Sequence, residues 1–102
     1  IMILKEITNW KSSSFHGTVI TATPYDLMNL AGQFNIEYYS GNDGRDKTNF
    51  DFAFETEDGL QFTVYDWKQG RPLDPHSSYA FHIGGQNQYD TIKGKEVLLE
   101  LL

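Results

Sequence analysis

The clearest pattern in the chain is a strict alternation of apolar and polar positions. Phe50, Phe52 and Phe54 alternate with Asn49, Asp51, Ala53 and Glu55, and after Glu57-Asp58-Gly59 the residues Leu60, Phe62 and Val64 alternate with Gln61, Thr63 and Tyr65. A period of two on either side of a glycine-bearing turn predicts an antiparallel hairpin with one apolar and one polar face. Six large apolar side chains on one face require a cover. The run Phe15-His16-Gly17-Thr18-Val19-Ile20-Thr21-Ala22 is also alternating and β-branched, and predicts another strand. Shorter segments at 1–10, 35–40 and 79–83 read the same way, the last ending at Gly84-Gly85.

Two segments change period. Thr23-Pro24-Tyr25-Asp26 opens a helix: Thr23 can cap free amides, Pro24 suits the first helical position and Asp26 stands where a capping acid belongs. Leu27, Leu30, Ala31 and Phe34 then fall on one stripe, with Gly32 placed to end the helix. The tail from about Gln88 to Leu102 carries Ile92, Val97, Leu98, Leu101 and Leu102, which suits a C-terminal helix interrupted only by Gly94. The expected fold is α+β: an antiparallel sheet of about five strands, one short helix after the second strand, and a C-terminal helix, in a single domain spanning 1–102.

The length of 102 residues fits one core and one site. The absence of cysteine excludes disulfides, thiolate metal sites and cysteine nucleophiles. No apolar run approaches the roughly 20 residues of a membrane span, and the first residues lack the regions of a signal peptide. A cytoplasmic protein without membrane contact is expected.

Charge narrows the choice further. Residues 37–66 hold eight acids against two bases, while the remainder is balanced, so the middle of the chain carries the whole net charge of −6. Direct nucleic-acid binding is disfavoured. Acids at Asp43, Asp51, Glu55, Glu57 and Asp58 make either a solvated sheet surface or a nucleic-acid mimic that docks on a partner's basic groove.

Candidate chemistry gathers near the end of the hairpin. Past Val64, the strand parity sends Asp66 and Lys68 toward the apolar face and Tyr65 and Trp67 toward the other. Asp66 reads first as a strand-end acceptor of backbone hydrogen bonds. Lys68 and Arg71 flank a tryptophan beside a Gly/Pro loop, and His82-Ile83-Gly84-Gly85 offers glycines whose amides can approach a phosphate. Tyr65, Trp67, Lys68, Arg71, His82, Gly84 and Gly85 together supply an aromatic plane, two cations and amides, a set that suits a nucleotide or another anionic aromatic ligand. The glycine pair alone reads equally as a tight turn or bulge. His16, His76 and His82 lack metal-ligand spacing, Ser77 and Ser78 occupy no nucleophile elbow, and Asp66 with Asp74 has no geometric support as a hydrolase pair. No metal, cofactor or catalytic set is assigned.

The stretch Phe62-Thr63-Val64-Tyr65-Asp66-Trp67-Lys68 followed by His82-Ile83-Gly84-Gly85 resembles a group of small bacteriophage-type proteins. Thr23-Pro24-Tyr25-Asp26-Leu27 and Asp46-Lys47-Thr48-Asn49-Phe50 are similar too, and Gly70-Arg71 departs from the pattern. The resemblance implies an accessory protein acting against host defences in the host cytoplasm. The leading expectation is a non-enzymatic homo-oligomer that sequesters a nucleotide-derived immune signal, its pocket completed by Trp10, Tyr38 or Tyr39 at a subunit interface. One alternative is an acidic inhibitor of a host defence protein, such as a CRISPR effector, contacting it through Asp43, Asp51, Glu55, Glu57 and Asp58. A second is a small enzyme degrading the signal, with His82 as acid or base and Asp66 or His76 orienting it.

Overall fold

The computed structural model describes residues 4–6, 13–32, 42–45 and 47–102. Their elements run β1 (Leu4–Glu6), β2 (Ser14–Ala22), α1 (Pro24–Leu30), β3 (Asp51–Thr56), β4 (Gln61–Tyr65), β5 (Tyr79–Gly85) and α2 (Gln88–Leu101). The fold is α+β with an antiparallel sheet in the order β1-β3-β4-β5-β2; β1 contributes three residues at one edge. The segment expected as a strand at 35–40, and Phe34 of the expected helix stripe, lie outside the described residues.

The hairpin follows its alternation. Phe52 pairs with Val64 and Phe54 with Phe62, placing these side chains on the buried face of β3 and β4. Phe81 and Ile83 of β5 and Ile20 and Ala22 of β2 continue that face, and Leu27 and Met28 of α1 and Leu98 of α2 close it. Phe50 and Leu73, from the segments flanking the hairpin, are fully buried in the same cluster.

The capping residues also act as their types dictate. Thr23 Oγ1 accepts from Asp26 N at 3.1 Å with Pro24 in the first turn, and Asn87 Oδ1 accepts from Asp90 N at 2.9 Å at the start of α2. The first helix is short and is closed by Gly32, as its sequence predicts. It ends at Leu30, with Gly32 in the left-handed region at φ 73°.

Two expectations are corrected. The last strand does not stop before Gly84-Gly85 but runs through both, with Gly84 opposite Thr63 on β4 and Phe15 on β2. The C-terminal helix does not pack through Ile92, Leu101 and Leu102, which are exposed; Thr91, Gly94, Val97 and Leu98 are its buried residues. The reason is close approach. A Cβ on Gly94 would fall 2.7 Å from Cγ of Phe62, and one on Gly85 would fall 3.1 Å from the Thr91 methyl. Thr18 and Thr91 hydroxyls meet at 2.6 Å between sheet and helix, satisfying two buried polar groups at this contact.

This contact makes a test in which two effects oppose. Alanine is favoured over glycine in a helix interior by about 1 kcal/mol, whereas overpacking a closed core costs roughly 1–3 kcal/mol. Because the atom in the way is a fully packed Phe62 ring, Gly94→Ala is expected to lower the urea midpoint of unfolding. An unchanged or raised midpoint contradicts the close helix–sheet contact.

Candidate functional site

With α1 and α2 closing one face of the sheet, chemistry accumulates on the other. Strand register aligns Asp51, Tyr65, His82 and Val19 in a row across β3, β4, β5 and β2. Phe15 joins them through a bulge. Between Phe15 and Thr18 the pairing shifts, Gly17 takes φ 89°, and Phe15 returns to the face carrying His82. Its ring stacks on His82 with centroids 4.0 Å apart and planes 16° apart.

Trp67 completes the group. It lies 6.4 Å from His82 at 22°, while Tyr65 stands nearly perpendicular to both, 5.5 Å from His82 and 6.2 Å from Trp67. Phe15 and Trp67 are about two-fifths exposed, so the cluster is open to solvent. Lys68 Nζ sits 5.4 Å and Lys47 Nζ 5.9 Å from the Trp67 ring centre, within cation–π range.

Lys68 gets there by an unusual backbone. It is the one non-glycine residue with positive φ among the described residues, at 50°. Its amide donates to Lys47 O at 2.6 Å, so both lysines are tied together at the edge of the tryptophan. The left-handed conformation is uphill for a non-glycine residue by roughly 1–2 kcal/mol, which makes its use here informative.

Asp66 holds this turn in place. It is fully buried, and its carboxyl accepts from Asn49 N at 2.7 Å, Phe50 N at 2.7 Å and Asn49 Nδ2 at 2.9 Å. Asn49 continues the network by accepting from Gly44 N at 2.9 Å and donating to Arg71 O at 3.3 Å. Asn42 adds two bonds to the backbone of Leu73. Asp66 is therefore a structural acceptor on the buried side of β4, facing away from His82.

The expected ligand set thus divides. Tyr65, Trp67, Lys68 and His82 come together. Gly84 and Gly85 do not present loose amides, because they are buried within a central strand: the Ser13–Thr63 hydroxyl contact of 2.9 Å crosses over Gly84, where a Cβ would meet both oxygens at 2.5–2.6 Å. Gly85 O meets His16 Nε2 at 3.2 Å. Arg71 is exposed, and its described bond is through its backbone carbonyl. Trp10, Tyr38 and Tyr39 lie outside the described residues. Phe15 and Lys47 were missed, although the Gly17 bulge signal and the shared loop chemistry around Lys47 were present in the sequence.

The remaining candidates are placed elsewhere. His76 packs against Tyr25 at 4.9 Å, and Asp74 accepts from His76 N and Ser77 Oγ, bonds that hold its carboxyl below the ordinary range. His76 and Asp66 therefore do not orient His82 as the degrading-enzyme alternative required. Of the acids, Asp43 accepts from Arg45 N in its own turn, Asp51 and Glu55 stand on the outer face of β3, and Glu57 and Asp58 form the β3–β4 turn. Glu55 accepts from Gln61 at 2.9 Å, and Asp58 from Thr56 Oγ1. Shallow grooves of ≈ 330 and ≈ 290 Å³ lie between that turn and α2, at the other end of β4 from Trp67. Among the described residues no three His, Asp or Glu side chains converge as a metal site, and no helix is long and apolar enough to cross a membrane.

Asp51 has a distinct environment. It keeps solvent access, yet burial among the packed strands and the nearby Asp66 raise its carboxyl above the ordinary 3.8. Burial, with Asp51 across the strand, likewise raises the Tyr65 phenol. Compared with protein-family models, curated proteins and solved structures, the chain matches none.

Two stability measurements follow from these environments. A carboxyl raised in the folded state stabilises the fold below its unfolded value, and that contribution is lost as pH rises through the raised value. Asp51→Asn is thus expected to raise the thermal midpoint at pH 7, with the gain vanishing below pH 3.8; a gain that persists in acid contradicts the assignment. Asp66→Ala removes the shared acceptor of three buried N–H bonds and is expected to cost roughly 2–5 kcal/mol in urea unfolding. A loss under 1 kcal/mol would mean the network is dispensable.

Proposed function

We propose that the protein is a non-enzymatic binding module that captures a small anionic molecule with a planar ring, a nucleotide in the first instance, on the outer face of its sheet. The observation that carries this reading is the half-open group of Phe15, His82, Tyr65 and Trp67 with two ammonium groups at the Trp67 ring, one of them placed by the left-handed Lys68. Rings supply stacking for a base, and Lys47 and Lys68 neutralise its phosphate.

The charge distribution favours a small ligand over a polymer. Two lysines give a local positive spot, but Asp51, Glu55, Glu57 and Asp58 follow β3 and its turn for about 20 Å and would repel a continuing phosphate backbone. Binding rather than turnover is supported by His82, whose described side-chain contacts are all with rings. From the Tyr-Asp-Trp-Lys and His-Ile-Gly-Gly resemblance we read the ligand as a nucleotide-derived immune signal, sequestered in the host cytoplasm by a phage-type anti-defence protein. An open platform on a small domain is enclosed by a second subunit, so the active form is a homo-oligomer.

Calorimetric titration with AMP, GMP and inorganic phosphate tests the platform, and native mass spectrometry of the same mixtures reads the subunit count. Base stacking is worth about 1–3 kcal/mol, so Trp67→Ala is expected to weaken nucleotide binding by about 5- to 150-fold while leaving the core intact. Lys47→Gln with Lys68→Gln should lower affinity and flatten its salt dependence. Absence of nucleotide binding at millimolar concentration, or binding indifferent to Trp67, overturns the reading.

A further inference from the structure

The platform as described explains affinity for a ring and a phosphate but leaves the choice of base open. One group on the same face is unspent. Asp51 pairs across the sheet with Tyr65, which pairs with His82, so its carboxylate lies at one end of the ring cluster. Among the described residues no side chain or amide donates a hydrogen bond to it, whereas Asp66, Glu55 and Asp58 each accept at least one. Nor, among the described residues, does a cation pair with it: Lys47 and Lys68 turn to Trp67, and Arg71's described bond is through its backbone.

We infer that Asp51 is the specificity determinant of this platform and selects guanine. The inference rests on the nucleotide-binding reading above. A carboxylate is an acceptor at both oxygens and carries no donor. Among the common bases, only guanine presents two adjacent donors, N1–H and the N2 amino group, which match the two oxygens together. Adenine and cytosine offer one donor beside a ring acceptor, and uracil one donor between two carbonyls; each would set a lone pair against the carboxylate. Unmatched polar edges of this kind discriminate more strongly than shape does.

The spacing is compatible. Asp51 is two strands from His82, about 10 Å, so a base placed over Tyr65 would turn one edge to Asp51 and its phosphate to the Trp67 end, where Lys47 and Lys68 lie. Burial first, and the nearby Asp66 charge second, raise the carboxyl's affinity for a proton, so its charged form sits in a partly desolvated place. A bound donor pair would relieve that penalty.

The test compares GMP and AMP, by calorimetry and Trp67 fluorescence quenching at pH 7.5, on the full chain and on two variants. The wild type is expected to prefer GMP by about tenfold or more. Asp51→Asn keeps shape but replaces one acceptor with a donor, so it should lose the preference or turn it toward AMP. Lys68→Gln should weaken both nucleotides alike. Because Asp51→Asn removes an unfavourably placed charge, a folding defect is not expected to imitate the result, and its thermal midpoint checks this. Equal binding of GMP and AMP by the wild type, or a GMP preference that survives Asp51→Asn, overturns the assignment while leaving the platform standing. Failure of both nucleotides to bind any form overturns the platform and this inference with it.

Discussion

The buried carboxyl of Asp66 is the constraint on which the rest of the outer face depends. Strand β4 delivers it to the interior after Val64, and three N–H groups from Asn49 and Phe50 meet it there. One buried carboxyl accepts from all three, so the position of the segment before β3 and that of the segment after β4 are fixed by one another. With Asp66 pointing inward, its neighbours Tyr65 and Trp67 must point outward. In the turn that follows, Lys68 adopts the left-handed conformation and its amide donates to Lys47 O. A structural acceptor thereby determines the placement of an aromatic ring and two cations on the opposite side of the sheet.

The two faces of the sheet are built by different rules. The inner one is closed by volume: five phenylalanines pack with aliphatic side chains, and α2 approaches closely enough that a methyl group would clash at Gly94 and be tightly held at Gly85. A core of that density tolerates little displacement. The outer one is closed by hydrogen bonds at one end, where Ser13 and Thr63 meet above Gly84, and left open at the other, where the rings lie. Rigidity behind and access in front are what a stacking surface requires, since ring planes held by strand register lose little freedom when a ligand arrives.

The parts of this design that depend on near neighbours in the chain were legible in the sequence. Alternation gave the Phe50–Val64 hairpin and its buried face, and the side-chain chemistry of Thr23 and Pro24 located α1. Parity carried past Val64 also separated Asp66 from Trp67. What escaped depends on register between distant strands. Gly84-Gly85 reads locally as a turn, and only pairing to both β4 and β2 shows it as mid-strand. The same holds for Phe15, which reaches His82 through a bulge, and for Lys47, brought to Trp67 by a backbone bond to Lys68. In α2, the apolar residues suggested a large-residue contact, whereas the glycine that looked like a defect marks the packed side.

The capture of an anion proposed above is compatible with a net charge of −6 once the range of each interaction is considered. At physiological ionic strength charges more than about 8 Å apart through solvent are largely screened, so the acids at the β3–β4 turn act weakly at Trp67. Lys47 and Lys68 act at contact distance beside a ring that excludes water from one side. The acid that does lie close, Asp51, cannot be screened away in the same manner. Near a phosphate it would repel; beside the donor edge of a base it attracts. On the nucleotide reading proposed above, the two ends of the ligand would be distinguished, with cations at the Trp67 end of the ring group and an acceptor across Tyr65. A ligand with phosphate and base reversed would meet like charges at one end and unpaired donors at the other, so polarity along the platform fixes orientation as well as chemistry.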